Sequence, residues 1–103
     1  MSNKKLSPEI QAILSASDAG LHATTISLVQ QFLVENPDSP RGWIDLGRAF
    51  AQIFRFDEAE QAFNKVIELS EETSAAAIYG EIGNLYRIQG KFAQAAQYYN
   101  KQI

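Results

Sequence analysis

The chain of 103 residues contains no cysteine, which excludes disulfide bonds and cysteine-based metal or redox sites. It has one histidine, His22, and no histidine or carboxylate cluster accompanies it at the spacing of metal ligands. We therefore expect no metal and no other cofactor. No apolar run approaches the length that crosses a membrane, and no apolar stretch follows the N-terminal lysines as it would in a secretory signal. These absences lead us to expect a cytoplasmic protein without a membrane partner.

Positive charge is also scarce. Nine lysines and arginines stand against twelve aspartates and glutamates, which gives a net charge of -3 at pH 7. Because nucleic-acid binders neutralise phosphates with clustered positive charge, we expect no nucleic-acid partner. There is no phosphate-binding glycine loop and no nucleophile motif. The acidic pairs at 58 and 60 and at 71 and 72 fall on expected exposed turns, whereas catalytic carboxylates need a desolvated cleft. We therefore expect no enzymatic activity.

Hydrophobic residues make up 46% of the chain and charged residues 20%, which is typical of one folded soluble domain. The apolar residues recur with the period of an α-helix, and no segment alternates as a strand does. Prolines 37 and 40 and the glycines at 20 and 90 mark the main breaks. Six helices are predicted, over residues 8–15, 22–35, 40–53, 57–69, 74–89 and 92–103. Ser7 is the predicted N-terminal cap of the first helix and Asp57 that of the fourth.

One pattern occurs twice in these helices, as GWIDLGRAFAQIFRFDEAEQAF and then as YGEIGNLYRIQGKFAQAAQYY. Its first copy has Trp43, Leu46, Gly47, Phe50, Ala59 and Phe63, and its second has Tyr79, Ile82, Gly83, Tyr86, Ala95 and Tyr99. This pattern resembles the tetratricopeptide repeat family over residues 40–103. The resemblance implies an all-α fold, a right-handed α-α superhelix of about three stacked helical hairpins. In such hairpins the glycines and alanines would let paired helices approach closely, while the aromatic rings fill the space between them.

The resemblance also divides the chain. We expect a disordered tail over 1–6, a degenerate capping hairpin over 7–39, and repeats over 40–73 and 74–103. Gly47 and Gly83 lie 36 residues apart against a family period of about 34, and we assign the excess to the connection at 70–74. We expect the last repeat to lack a C-terminal capping helix. The apolar residues expected to lie uncovered at that end are Leu85, Ala96, Tyr98 and Ile103. Either the chain continues in a longer protein or this end packs on another copy.

By resemblance, the first helices of the hairpins line a concave groove that holds a peptide. We expect a non-enzymatic protein-protein interaction scaffold with a partly basic groove, which favours an acidic peptide because arginine binds carboxylates in a bidentate fork. The residues predicted to bind the peptide are Arg41, Ile44, Arg48, Gln52, Asn84 and Arg87. Two alternatives stay open: a non-catalytic front segment of a longer enzyme, and a homodimer formed through the C-terminal hairpin.

Overall fold

The computed structural model describes residues 8–70 and 72–101, and the side chains of 8–70 and 75–101. This part of the chain is all-helical and has no strand. Its six helices are α1 (Pro8–Asp18), α2 (His22–Glu35), α3 (Pro40–Gln52), α4 (Phe56–Leu69), α5 (Glu72–Ile88) and α6 (Phe92–Lys101). Each helix packs mainly on its neighbours in sequence, so the hairpins α1–α2, α3–α4 and α5–α6 form an elongated array of 46 × 28 × 24 Å. The predicted all-α stack of helical hairpins is confirmed. The tail at 1–6, the Ser7 cap and Ile103 lie outside the described residues.

The predicted break between α2 and α3 has clear local causes. The side chain of Asn36 donates to the carbonyl oxygen of Phe32 at 3.0 Å, which satisfies an acceptor at the end of α2. Ser39 caps α3 by accepting from the amide of Gly42 at 3.3 Å, and Pro40 occupies the first turn. The predicted Asp57 cap is wrong, because α4 begins one residue earlier. Asp57 lies inside its first turn, where a carboxylate favours the positive end of the helix dipole.

The two residues by which the spacing between Gly47 and Gly83 exceeds the family period lie near the expected segment, but they form helix and not a connection. Helix α5 has 17 residues against 13 in α3, and each glycine stands five residues before the end of its helix. The four additional residues therefore form a first turn at the start of α5. Residues 72–74 belong to that turn and not to a connection. The repeat is longer than the family period because α5 has an extra turn of helix, and the shorter connection before α5 offsets only part of that extra length.

The two helices of a hairpin touch where a glycine faces a ring. A Cβ atom added to Gly47 would lie 2.6 Å from the ring of Phe63, and one added to Gly83 would lie 2.8 Å from the ring of Tyr99. Neither distance leaves room for a methyl group, so these contacts require glycine. The alanines opposite are buried, with Ala59 0% and Ala95 2% exposed. The expected close approach of the paired helices is confirmed.

Tyrosines fill the outer side of the last hairpin, between α4 and α6. The ring of Tyr98 stacks on that of Tyr86 at a centroid distance of 5.4 Å and lies 6.4 Å from that of Tyr79. The hydroxyl of Tyr86 donates to both carboxylate oxygens of Glu60 at 2.9 Å. Tyr98 is thus half-buried, while Ala96 is exposed as expected. The expectation that Leu85 lies uncovered is wrong, because it is 3% exposed and belongs to the core.

Burial and the hydrogen bond to Glu60 raise the pKa of Tyr86 from 10.0 to about 12. Because the folded chain holds this proton more tightly, the stability it contributes is fully present below pH 10 and is lost as pH rises through about 12. An ultraviolet titration of tyrosinate should contain a late step that Tyr86→Phe removes. Glu60→Gln should move that step toward lower pH. A titration unchanged by Tyr86→Phe would contradict the assignment.

The turn between α3 and α4 contains a strained residue. Turns at equivalent places of the first and third hairpins have Gly20 and Gly90 at φ values of 73° and 77°, whereas the second has Phe54 at φ 63°. A left-handed backbone conformation is unfavourable for a residue with a bulky side chain. Phe54 is 71% exposed, and its ring meets that of Phe56 edge-on at a centroid distance of 6.0 Å. Burial of the ring therefore offsets little of the cost of the left-handed conformation.

Phe54→Gly should therefore stabilise the fold. Relief of the left-handed conformation gains about 1–2 kcal/mol, and the flexibility of glycine in the unfolded chain takes back roughly 0.5–1 kcal/mol. The measurement is urea unfolding followed by circular dichroism. Phe54→Ala is the matched control, because it removes the ring but keeps a Cβ atom in the strained conformation. A Phe54→Gly protein no more stable than Phe54→Ala would show that the left-handed backbone conformation is not a source of strain here.

Candidate peptide-binding groove

The first helices of the three hairpins, α1, α3 and α5, form one surface, here called the inner face. Two cavities lie along it. One, of about 390 Å³, lies between α1, the start of α2 and α3, and its polar lining includes His22, Thr25 and Asp45. The other, of about 180 Å³, lies between α3 and α5 and is lined by Glu81 and Leu85 among others. Both cavities share Arg48 and Gln52 as lining residues, so they adjoin along the inner face.

Five of the six residues predicted to bind a peptide line these cavities. Arg41, Arg48 and Gln52 line the cavity beside α1, and Arg48, Gln52, Asn84 and Arg87 line the cavity beside α5. All five are exposed. The sixth, Ile44, lines neither cavity; it is half-buried and packs against the core. The structure thus brings the polar members of the set to one face and leaves Ile44 apart.

Two of the three arginines of this face, Arg41 and Arg48, already have carboxylate neighbours. Arg48 of α3 reaches across to α5, where its Nη2 and Nε atoms donate to Oε1 of Glu81 at 2.6 and 3.1 Å. Arg41 lies 3.8 Å from the carboxylate of Asp45, one helical turn further along α3. Burial raises the pKa of the Asp45 carboxyl above its usual value, and attraction by Arg41 and Arg48 partly opposes that rise. The surface therefore presents paired charges of both signs.

At the α5 end the polar groups form a small network. The side-chain oxygen of Asn84 accepts from the hydroxyl of Tyr99 at 2.6 Å and from Nε of Arg87 at 3.4 Å. Two donors on one atom fix which end of the amide is the oxygen. Tyr99 therefore both packs against Gly83 and orients Asn84. Among the described residues, Arg87 has no ion pair.

The predicted binding residues did not include the two carboxylates of this face that pair with its arginines, Asp45 and Glu81. Asp45 was detectable, because residues four apart share one side of a helix and Arg41 precedes it at that spacing. Glu81 is 33 residues from Arg48, and their contact depends on how α5 is positioned beside α3. That position depends on how the second and third hairpins pack on each other, for which the sequence contains no direct signal.

The arrangement is suited to recognition by hydrogen bonds and ion pairs. Its side chains supply guanidinium donors, amide groups and carboxylate acceptors at the surface. Within 8–70 and 75–101, no group of three histidines, aspartates or glutamates is placed to hold a metal ion. Nor does the described part of the chain contain a helix long and apolar enough to cross a membrane.

Comparison with known families decides what this array is. One model of the tetratricopeptide repeat matches residues 43–102, and a second matches residues 11–72. The chain belongs to the tetratricopeptide repeat family. The second match extends into the first hairpin, so the family pattern is not confined to the two clear copies. Tetratricopeptide repeats generally mediate protein-protein interactions and are typically non-catalytic. No curated protein matched the chain significantly.

Proposed function

We propose that this tetratricopeptide repeat chain is a non-enzymatic scaffold that holds a peptide or protein segment along its inner face. The observation that supports it best is the pair of adjoining cavities that share Arg48. They extend from α1 to α5 and are lined by exposed polar side chains from α1, α3 and α5. An extended or helical segment crossing the hairpins would meet a series of donors and acceptors.

The charges favour a segment with a carboxylate near its centre. Arg87 is exposed and lies in the same cavity as Arg48. A ligand carboxylate between them would gain two charge-assisted contacts, which are stronger than neutral hydrogen bonds. It would compete with Glu81 for Arg48, and that exposed pair is cheap to separate, at about 0–1 kcal/mol. Glu81 then acts as an internal competitor that weakens binding but does not prevent it.

The test uses peptides selected on the wild-type chain from a random peptide library, with affinities measured by fluorescence anisotropy. We expect acidic sequences. Their affinity should fall about tenfold or more in Arg48→Glu/Arg87→Glu, because a charged hydrogen bond is worth roughly 1.5–3 kcal/mol. Circular dichroism confirms that the variant is folded. Equal affinity for wild type and variant would contradict the proposal.

A second variant should act in the opposite direction. Glu81→Gln frees Arg48 from its internal partner and should raise affinity about threefold, in line with the small energy of an exposed ion pair. The matched control is Glu58→Gln, which frees Arg55 in the same way on the turn between α3 and α4, away from both cavities. We expect no change there. A similar gain in both variants would reveal a general effect of net charge and not a site at Arg48.

A further inference from the structure

The turns inside the three hairpins lie along one edge of the array, here called the turn edge. Neighbouring helices run in opposite directions, so α1, α3 and α5 all end at this edge and α2, α4 and α6 all begin there. One cavity is lined by both Ser17 and Gln52, and another by both Gln52 and Ile88, so the helix ends are neighbours. The turn edge consists of residues 17–22, 52–58 and 87–92.

Exposed apolar side chains are concentrated on this edge. Among the described residues six large hydrophobic side chains are exposed, and the turn edge contains five of them. These are Leu21 at 54%, Ile53 at 36%, Phe54 at 71%, Ile88 at 51% and Phe92 at 68%. The sixth, Val34, lies near the end of α2, at the opposite edge. Single exposed apolar residues are ordinary, but a cluster of them marks an interaction surface.

The central turn contributes the most exposed ring of this cluster, and its backbone is the least favourable. Phe54 has a φ of 63° at the place where the other two turns have Gly20 and Gly90. Glycine would relieve this strain, and burial within the chain repays little of it. Strained residues are concentrated at functional sites, where the strain is kept for a contact. The position of Phe54 therefore indicates that its ring contacts something outside the chain.

The charges of the turn edge change sign from one end to the other. Asp18 is the only residue of 17–22 that is charged at pH 7, whereas 87–92 contains Arg87 and Lys91 and no acidic residue. The central segment contains both signs, and its Arg55 is already paired with Glu58 at 2.5 Å. Asp18 and Lys91 are exposed, and no ion pair within the described residues includes either of them.

We propose that the turn edge binds a second copy of this chain, antiparallel to the first, across a two-fold axis near Phe54. The two Phe54 rings meet at the axis, and the first turn of each copy faces the third turn of the other. Asp18 then faces the partner's Lys91, and this pair occurs twice because the contact is symmetric. The other two-fold arrangement would place Asp18 on Asp18 and Lys91 on Lys91. Charge complementarity therefore selects the antiparallel one.

This dimer is distinct from peptide binding and is weak. Asp18, Phe54 and Lys91 line neither cavity of the inner face, so the dimer does not depend on the function proposed above. Three turns form a smaller surface than the roughly 1,200–2,000 Å² buried in stable complexes. We therefore expect a dissociation constant on the order of 10–100 μM.

Sedimentation equilibrium over a wide range of concentrations measures this association. The mass should rise from 11.5 kDa toward twice that value. Phe54→Gly should weaken the dimer about tenfold or more, yet it should stabilise the monomer in urea at low micromolar concentration. These opposite effects distinguish a contact between copies from a structural role. Val34→Ala is the matched control, because it shortens an exposed apolar side chain at the opposite edge and should leave the dissociation constant unchanged.

A charge exchange tests the antiparallel arrangement. Asp18→Lys and Lys91→Glu should each weaken the dimer about threefold or more, because like charges then face each other twice. The double variant pairs opposite charges again with their places exchanged, and its dissociation constant should return to within about twofold of the wild type. Circular dichroism checks that each variant is folded.

A chain that keeps a mass of 11.5 kDa up to about 1 mM, far above the expected dissociation constant, would overturn the proposal. A Phe54→Gly protein that dimerises as tightly as the wild type would also overturn it and would place self-association elsewhere, for instance at the C-terminal hairpin. If the double variant associates no better than the single variants, the antiparallel pairing of Asp18 and Lys91 is wrong.

Discussion

The contact between a helical glycine and the ring that covers it determines how each clear hairpin is built. At Gly47 and again at Gly83 the first helix of the pair has no side chain, and an aromatic ring of the second helix lies against its backbone. Interiors are packed so densely that even one methyl group would have to displace that ring. The contact therefore sets the distance between the paired helices and also their rotation, which decides the side chains that face inward and outward.

The two clear hairpins share this glycine-ring contact but differ at a few other positions. These differences change the side chains that each hairpin presents on its surface. Position 62 of the middle hairpin is a buried alanine, while the corresponding position 98 of the next hairpin is a half-buried tyrosine that stacks on Tyr86. On the inner face, Glu81 of α5 pairs with Arg48 of α3 at 2.6 Å, and this ion pair couples the second and third hairpins. The residues that recur in both hairpins build the scaffold, and residues that differ between the hairpins form the candidate site.

The sequence predicted what depends on local pattern. Helix periodicity, the prolines near residue 37 and the two glycines were enough to predict six helices and their pairing in hairpins. The face on which Arg48 and Asn84 lie was predicted from the resemblance to the tetratricopeptide repeat family. The sequence did not predict features that depend on how the helices are aligned against one another or on strain in the backbone. The start of α5 was misplaced because residues 70–74 are polar and contain no breaker. The partner of Arg48 was missed because it lies on another hairpin, 33 residues away. The sequence predicted a break between residues 53 and 57, but the left-handed conformation of Phe54 is apparent only from the backbone.

The most direct test of the glycine-ring constraint is a double-mutant cycle on Gly47 and Phe63, measured as free energies of unfolding in urea. Alanine is a better helix former than glycine by about 0.8–1 kcal/mol, so Gly47→Ala would stabilise α3 if nothing opposed it. We predict instead a loss of roughly 1–3 kcal/mol from overpacking against the ring. In a Phe63→Leu background the same substitution should be neutral or stabilising. An equal effect of Gly47→Ala in both backgrounds would show that the ring does not set the spacing of the helices.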